Sequence, residues 1–245
     1  MLGENELTVR NAEISPHIYA RVAGSLYLII IVFGIFSEVF IRSILIVPGD
    51  AASTVTNILA SEWLFRTGFA SDSIMLLSDV AIAVLFYMLL KPVSKTLALM
   101  AAAFRLTQAA ILGLNLLNYY AALLLLSGAG YSTVFEADQL YALVILFLDM
   151  HSHGYDLGLL FFGFSSLILG HLVAKSDYFP RILGYGLITA AVVYLTGSLM
   201  RFLFPEYVSF IVPIYIVPLF AELSFCSWLL VKGVRVGRDD QTLRS

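Results

Sequence analysis

TGFASDSIMLLSDVAIAVLFYMLL, Thr67–Leu90, decides the fold. A hydrocarbon core about 30 Å thick needs roughly 20 apolar residues per helix, and this stretch supplies them. Its two carboxylates, Asp72 and Asp79, stand seven apart, so in a helix of 3.6 residues per turn they share one face. Charged groups inside a span are costly and turn toward protein or water. The segment therefore reads as a membrane helix with an inward polar stripe. Five further apolar runs follow the same length rule: Ile18–Ile41, Leu97–Leu126, Leu157–Val173, Ile182–Leu203 and Phe210–Val231.

The expected architecture is all-α, a polytopic membrane bundle of six transmembrane helices. An N-terminal segment over 1–17 and a C-terminal tail over 232–245 flank a bundle over 18–231. Composition agrees: 60% of residues are hydrophobic and 13% charged, against about 25% charged in soluble domains. Lipid must cover part of that apolar surface. With a net charge of -3 and no large basic block, nucleic acid is not an expected partner. Cys226 is the single cysteine, which excludes disulfides, Cys-based zinc sites and iron–sulfur clusters. No basic n-region precedes the first run, so it reads as a retained helix rather than a signal peptide.

Basic residues set the expected orientation. With the amino terminus inside, Arg10, Arg21, Lys91, Lys95, Lys175, Arg181, Lys232, Arg235, Arg238 and Arg244 fall on the cytoplasmic side. Only Arg42, Arg66 and Arg201 fall outside, and Arg105 lies within the third span. Both termini are therefore expected in the cytoplasm, with the protein in the cell (inner) membrane.

The longest loop runs from Arg42 to Arg66. Asp50 after Pro48-Gly49 can cap a helix over Ala51–Phe65, with Val55, Ile58, Leu59 and Trp63 at helical spacing. That predicts an amphipathic helix on the outer surface, or a lid over an outer site. The stretch from Gln139 to Val173 is too long for one span at 1.5 Å per residue. Asp149-Met150-His151-Ser152-His153-Gly154-Tyr155-Asp156 interrupts it, and Gly154 and Gly158 weaken helicity. The reading is a surface-lying or re-entrant helix over Asp138–Met150, a break, then the fourth span. Pro205, Pro213 and Pro218 predict an irregular entry to the sixth span.

Ionisable residues within or beside the spans are the candidates for chemistry: Glu38, Asp72, Asp79, Arg105, Asp149, His151, His153, Asp156, His171 and Glu222, with Gln108, Asn115 and Asn118 as neutral polar company. Asp79 and Arg105 match in depth and can pair, either as a structural lock or within a polar pathway. Asp149, His151, His153 and Asp156 carry zinc-ligand chemistry, but their spacing fits no established zinc motif. No cofactor is predicted. Glu222 stands mid-span without an evident partner, protonated or paired across the bundle.

Three stretches carry a family likeness: VPGDAASTVTNILASEWLFRTG at Val47–Gly68, LLKPVSKTLALMAAAFRLTQAAILGLNLLN at Leu89–Asn118, and LDMHSHGYDLGLLFFGFSSLILGHLVAKSDYFPRILGYG at Leu148–Gly186. Together they resemble the bacterial membrane family of domain of unknown function 4386, over roughly Tyr19 to Met200. The resemblance implies a bacterial multi-pass membrane protein and no particular activity. Asp50, Arg66, Asp79, Arg105, Asn115, Asp149, His151, Gly154 and Asp156 match the family's polar pattern. His153 and His171 stand where the family more often has an aromatic residue.

The leading expectation is a non-enzymatic protein whose outward-opening polar cavity binds or transports a small polar molecule, ion or lipid headgroup. Glu38, Asp72, Asn115, Asp149, His151 and Asp156 would line its outer half, with Asp79, Arg105 and Gln108 at its floor. The alternatives are an intramembrane zinc-dependent lipid hydrolase and a structural or accessory subunit. Oligomeric state is not legible.

Overall fold

A computed structural model describes residues 15–128, 130 and 134–235. Most of the two flanking segments, including Arg10, Arg238 and Arg244, lies outside the described residues. Among the described residues seven helices form: α1 Pro16–Leu45, α2 Ala51–Ala60, α3 Glu62–Leu90, α4 Lys95–Leu126, α5 Ala137–Lys175, α6 Arg181–Leu203 and α7 Pro205–Val231. All but α2 are long and apolar enough to cross a membrane. The spanning helices close a ring: α1 packs on α3, α3 on α4, α4 on α5, α5 on α6, α6 on α7, and α7 back on α1. At the centre Tyr27, Phe86 and Phe225 meet edge to face or tilted, about 6 Å apart, a favoured aromatic geometry. Leu77, Leu114 and Phe220 stay exposed, as a surface covered by lipid requires.

The first span is longer than its apolar run suggested. Between Phe36 and Arg42 the backbone widens into a π-helix before finishing as Ser43–Leu45. In that geometry residues five apart share a face. Ser37 and Arg42 are so related, and Arg42 Nη1 donates to Ser37 Oγ at 2.9 Å. The widened turn thus brings Arg42 back against the bundle instead of releasing it into the loop.

Asp50 caps α2 as expected. Its carboxylate accepts from the Ser53 hydroxyl at 2.6 Å and the Ser53 amide at 2.9 Å. These bonds, the hydroxyl's foremost, hold the Asp50 carboxyl below the usual carboxylate range. Gly49 takes the preceding turn at φ +78, a conformation that favours glycine. The helix is shorter than expected: it ends at Ala60, and Trp63 and Arg66 belong to the start of α3. Its apolar face is only partly free, with Leu59 exposed. Val55 and Ile58 pack into a cluster with Ile41, Leu45, Tyr119, Leu140, Val144 and Leu148.

The break expected at Asp149–Asp156 is absent. Residues Ala137–Lys175 form one continuous helix of 39 residues, roughly 58 Å at 1.5 Å per residue. The excess length extends at the end of the bundle that carries α2, where Leu140, Val144 and Leu148 pack in one cluster with Val55 and Ile58. No re-entrant turn is needed. The glycines serve close packing instead: a Cβ on Gly154 would fall on the Asn115 side chain, and one on Gly158 on Leu112. The entry to α7 is irregular as the prolines predicted, with 3₁₀ turns at Pro205–Tyr207 and Val212–Tyr215.

Candidate functional site

Among the described residues, three arginine–aspartate pairs tie different helices together. The first was legible in sequence. Arg105 on α4 donates from Nε to Asp79 Oδ1 on α3 at 2.7 Å, and both residues are almost wholly buried. The guanidinium stacks among Phe162, Tyr27 and Phe86, with ring centroids at 4.9, 5.7 and 5.9 Å. Aromatic faces offer a desolvated cation a partial substitute for water. Nearby, Glu222 on α7 finds the partner that sequence did not show: the Tyr194 hydroxyl on α6 donates to its carboxylate at 2.8 Å. Gln108 is buried, one turn from Arg105, with Oε1 unpartnered among the described residues.

The second pair joins α1 to α3. Arg42 Nη1 donates to Asp72 Oδ2 at 2.7 Å while its Nε donates to Glu38 at 2.7 Å. Glu38 itself is mostly exposed and does not line either small pocket. Sequence reading placed Arg42 in a loop. The apolar Ile44-Leu45-Ile46-Val47 that follows it was the available signal that the helix continues.

The third pair joins α5 to α6: Arg201 Nε meets Asp156 Oδ2 at 3.0 Å, and Arg201 Nη2 donates to Ser152 at 2.6 Å. Asp156 therefore serves α6, not the α3–α4 face expected of it. On a continuous helix, at about 100° per residue, Asp149, His153 and Asp156 fall on one face and His151 on another. Asp149 and His153 emerge on the exposed side, where His153 Nδ1 donates to the Asp149 carbonyl at 2.8 Å. His171 is exposed at the far end of α5.

Only His151 of that group turns toward α4, and it is buried. Asn115 Nδ2 donates to the His151 carbonyl at 2.7 Å, and His151 Nδ1 lies 3.2 Å from the Asn115 carbonyl. Asn118 steadies Asn115 through Oδ1 at 3.0 Å. Tyr119 packs its ring 5.2 Å from the imidazole and ties its hydroxyl to the Phe65 carbonyl at 3.0 Å.

Asp72, Asn115 and His151 line a small pocket with Met75, Leu76, Leu112, Leu116 and Tyr155. A second pocket lies beside Arg105 and Ser165, walled by Ala83, Phe86 and Leu169 among others, and the two share no lining residue. Each has room for about one water molecule. Of the residues expected at the cavity floor, Arg105 lines the second of these spaces, and Asp79 and Gln108 line neither. Among the described residues, no three His, Cys, Asp or Glu side chains converge as a metal site would require.

Closed ring, lipid-facing surface and inward ionic pairs define a polytopic helical membrane protein. The chain belongs to the family described as Domain of unknown function (DUF4386), which matches residues 22–233. That match runs past Met200 and takes in Glu222 and the whole of α7. A relative is an uncharacterized protein of the archaeon Archaeoglobus fulgidus, 30% identical over 160 residues, covering 65% of this chain and 80% of the relative. No solved structure matches.

Proposed function

We propose that the protein is a non-enzymatic binding protein or carrier of the cell membrane, which takes a small polar molecule or ion into the pocket between α3, α4 and α5. The observation that carries this reading is a pair of orphans. Asp72 Oδ1 and His151 Nε2 are both buried, both without a hydrogen-bond partner among the described residues, and both belong to residues lining one pocket. Buried polar atoms are nearly always satisfied, so two orphans at one space favour an occupant. In this reading the α2 end faces outward and both termini are cytoplasmic, as the basic bias favours. The zinc-hydrolase alternative loses support because His151 points away from Asp149, His153 and Asp156, and no three such side chains group as a metal site among the described residues. A purely structural role has one observation behind it, the three ionic pairs that lock neighbouring helices.

Thiol labelling separates the two. In a Cys226→Ser background, Met75→Cys and Leu116→Cys should react with a charged, membrane-impermeant methanethiosulfonate added to intact cells. Thr56→Cys, exposed on α2, reports sidedness, and Leu187→Cys, buried on α6, should stay unmodified. A reactive Thr56→Cys with both pocket variants inert would favour the structural role.

A further inference from the structure

The two ends of the bundle treat their cations differently. At the α2 end Arg42, Arg66 and Arg201 each meet a carboxylate. At the opposite end Lys91, Lys95, Lys175, Arg181 and Lys232 are exposed, and none forms an ion pair among the described residues. Clustered cations at a membrane surface attract anions.

Packing concentrates that charge at one seam. α5 ends at Lys175 and α6 starts at Arg181. The two helices cross closely one turn deeper: a Cβ on Gly170 would fall against the Gly184 carbonyl, and one on Gly184 against Ala174. Bulkier residues would hold the helices apart, and with them the two cations. His171 stands one turn before Lys175 on the same helix face and is also exposed. Between His171 and Tyr185 the single acid is Asp177. It is exposed and forms no ion pair among the described residues. Lys175 and Arg181 against Asp177 leave a net positive seam, to which His171 adds an N–H donor.

Depth places this seam among lipid headgroups. Leu77, exposed at the middle of α3, lies about 21 Å along the axis from Lys91 at about 1.5 Å per residue. That is roughly half of a bilayer about 40–45 Å thick with its headgroups. Lys95 follows Lys91 across a short turn, and α5 shares its level. The Ser165 hydroxyl donates to the Ala101 carbonyl at 2.8 Å, and Lys95 and His171 stand equally far along the two antiparallel helices from that bond. The face of His171 continues two turns deeper to Phe164, and Arg181 is followed by Ile182 and Tyr185, all exposed. The cations therefore crown an apolar surface that lipid covers, within reach of phosphates rather than of a soluble partner.

We propose that the Lys175–Arg181 end of the α5–α6 seam binds the phosphate headgroup of an anionic phospholipid such as phosphatidylglycerol. Lys175 supplies a point charge, Arg181 a planar fork matched to phosphate oxygens, and His171 a further donor. A choline headgroup brings its own cation and gains nothing from a net positive seam.

The test is thermal unfolding and native mass spectrometry of the purified full chain in neutral detergent. Phosphatidylglycerol in the micelles should raise the melting temperature by at least about 2 °C and stay bound in the mass spectrometer. Phosphatidylcholine should do neither. Added salt should shrink the rise, since exposed charges are screened. Lys175→Gln combined with Arg181→Gln should abolish most of the rise and of the retained lipid. Melting without lipid should not change, because both side chains are exposed. Lys91→Gln combined with Lys95→Gln removes the same charge at the same end and should keep both effects. Equal losses in the two double variants would overturn the site and leave diffuse attraction. Equal responses to the two lipids would overturn it as well. A rise with polyglutamate and none with phosphatidylglycerol would assign the seam to an acidic protein and end the lipid proposal.

Discussion

The two ionic pairs on α3 sit two turns apart on one helix face, yet they live in different surroundings. Asp79 and Arg105 are sealed among aromatic rings at the centre of the ring of helices. Asp72 and Arg42 stand near the α2 end, with the exposed Glu38 on one side and the small pocket on the other. The first arrangement holds helices together, with Asp79 bordering neither small pocket while Arg105 lines one and keeps Nη1 and Nη2 without a hydrogen-bond partner among the described residues. The second leaves half a carboxylate and half an imidazole unspent. Equal chemistry at equal spacing thus yields a lock in one place and a candidate site in the other.

The largest expected effect is at the sealed pair. Asp79→Asn and Arg105→Gln should each cost about 3–5 kcal/mol, because each leaves an uncompensated charge in low dielectric. The double variant should recover part of that loss in a chemical or thermal unfolding series. Strict additivity would mean that the side chains do not couple, and the contrast between the two pairs would collapse.

Arg42→Gln should cost less, about 1–3 kcal/mol, since one of Arg42's two carboxylate partners is mostly exposed, whereas both members of the other pair are buried. A loss as large as that of Arg105→Gln would erase the distinction.

The smallest effect concerns α2, which packs against the end of α1 beyond Arg42. Val47 N–H donates to Thr54 Oγ1 at 2.9 Å, and Ile58 packs with Leu45. The Asp50 carboxyl that caps α2 is held below its ordinary range by Ser53. A depressed carboxyl stabilises above its unfolded value and loses that contribution as pH falls through its folded one. Hydrogen exchange at the Ser53 and Thr54 amides should therefore stay protected near neutrality and quicken below the ordinary carboxylate range. Asp50→Ala should show the fast exchange at neutral pH, without disturbing α4 or α6.

Period and length account for what is legible in the chain itself. Apolar runs of span length specify six membrane helices because hydrocarbon tolerates no unsatisfied backbone. The seven-residue spacing of Asp72 and Asp79 puts them on a common face. Asp79 and Arg105 match in depth, which is enough to pair them. Asp50 before a helical pattern marks a cap. Glycines and polar residues in α5 misled because they have two uses. Gly154 can break a helix or admit a neighbour such as Asn115, and sequence does not distinguish them.

Three properties thus follow from residue order alone: six membrane crossings, the polar faces of the helices, and the need for a cation to answer Asp79. The destinations of Arg42, Arg201 and Tyr194 do not, because each partner lies on another helix and is reached through packing. Packing also returns Arg42 to Asp72 through a π-turn, and keeps α5 unbroken so that His151 parts from Asp149, His153 and Asp156. Those are choices of helical pitch and neighbour, set by contacts between segments far apart in the chain, and no local pattern encodes them.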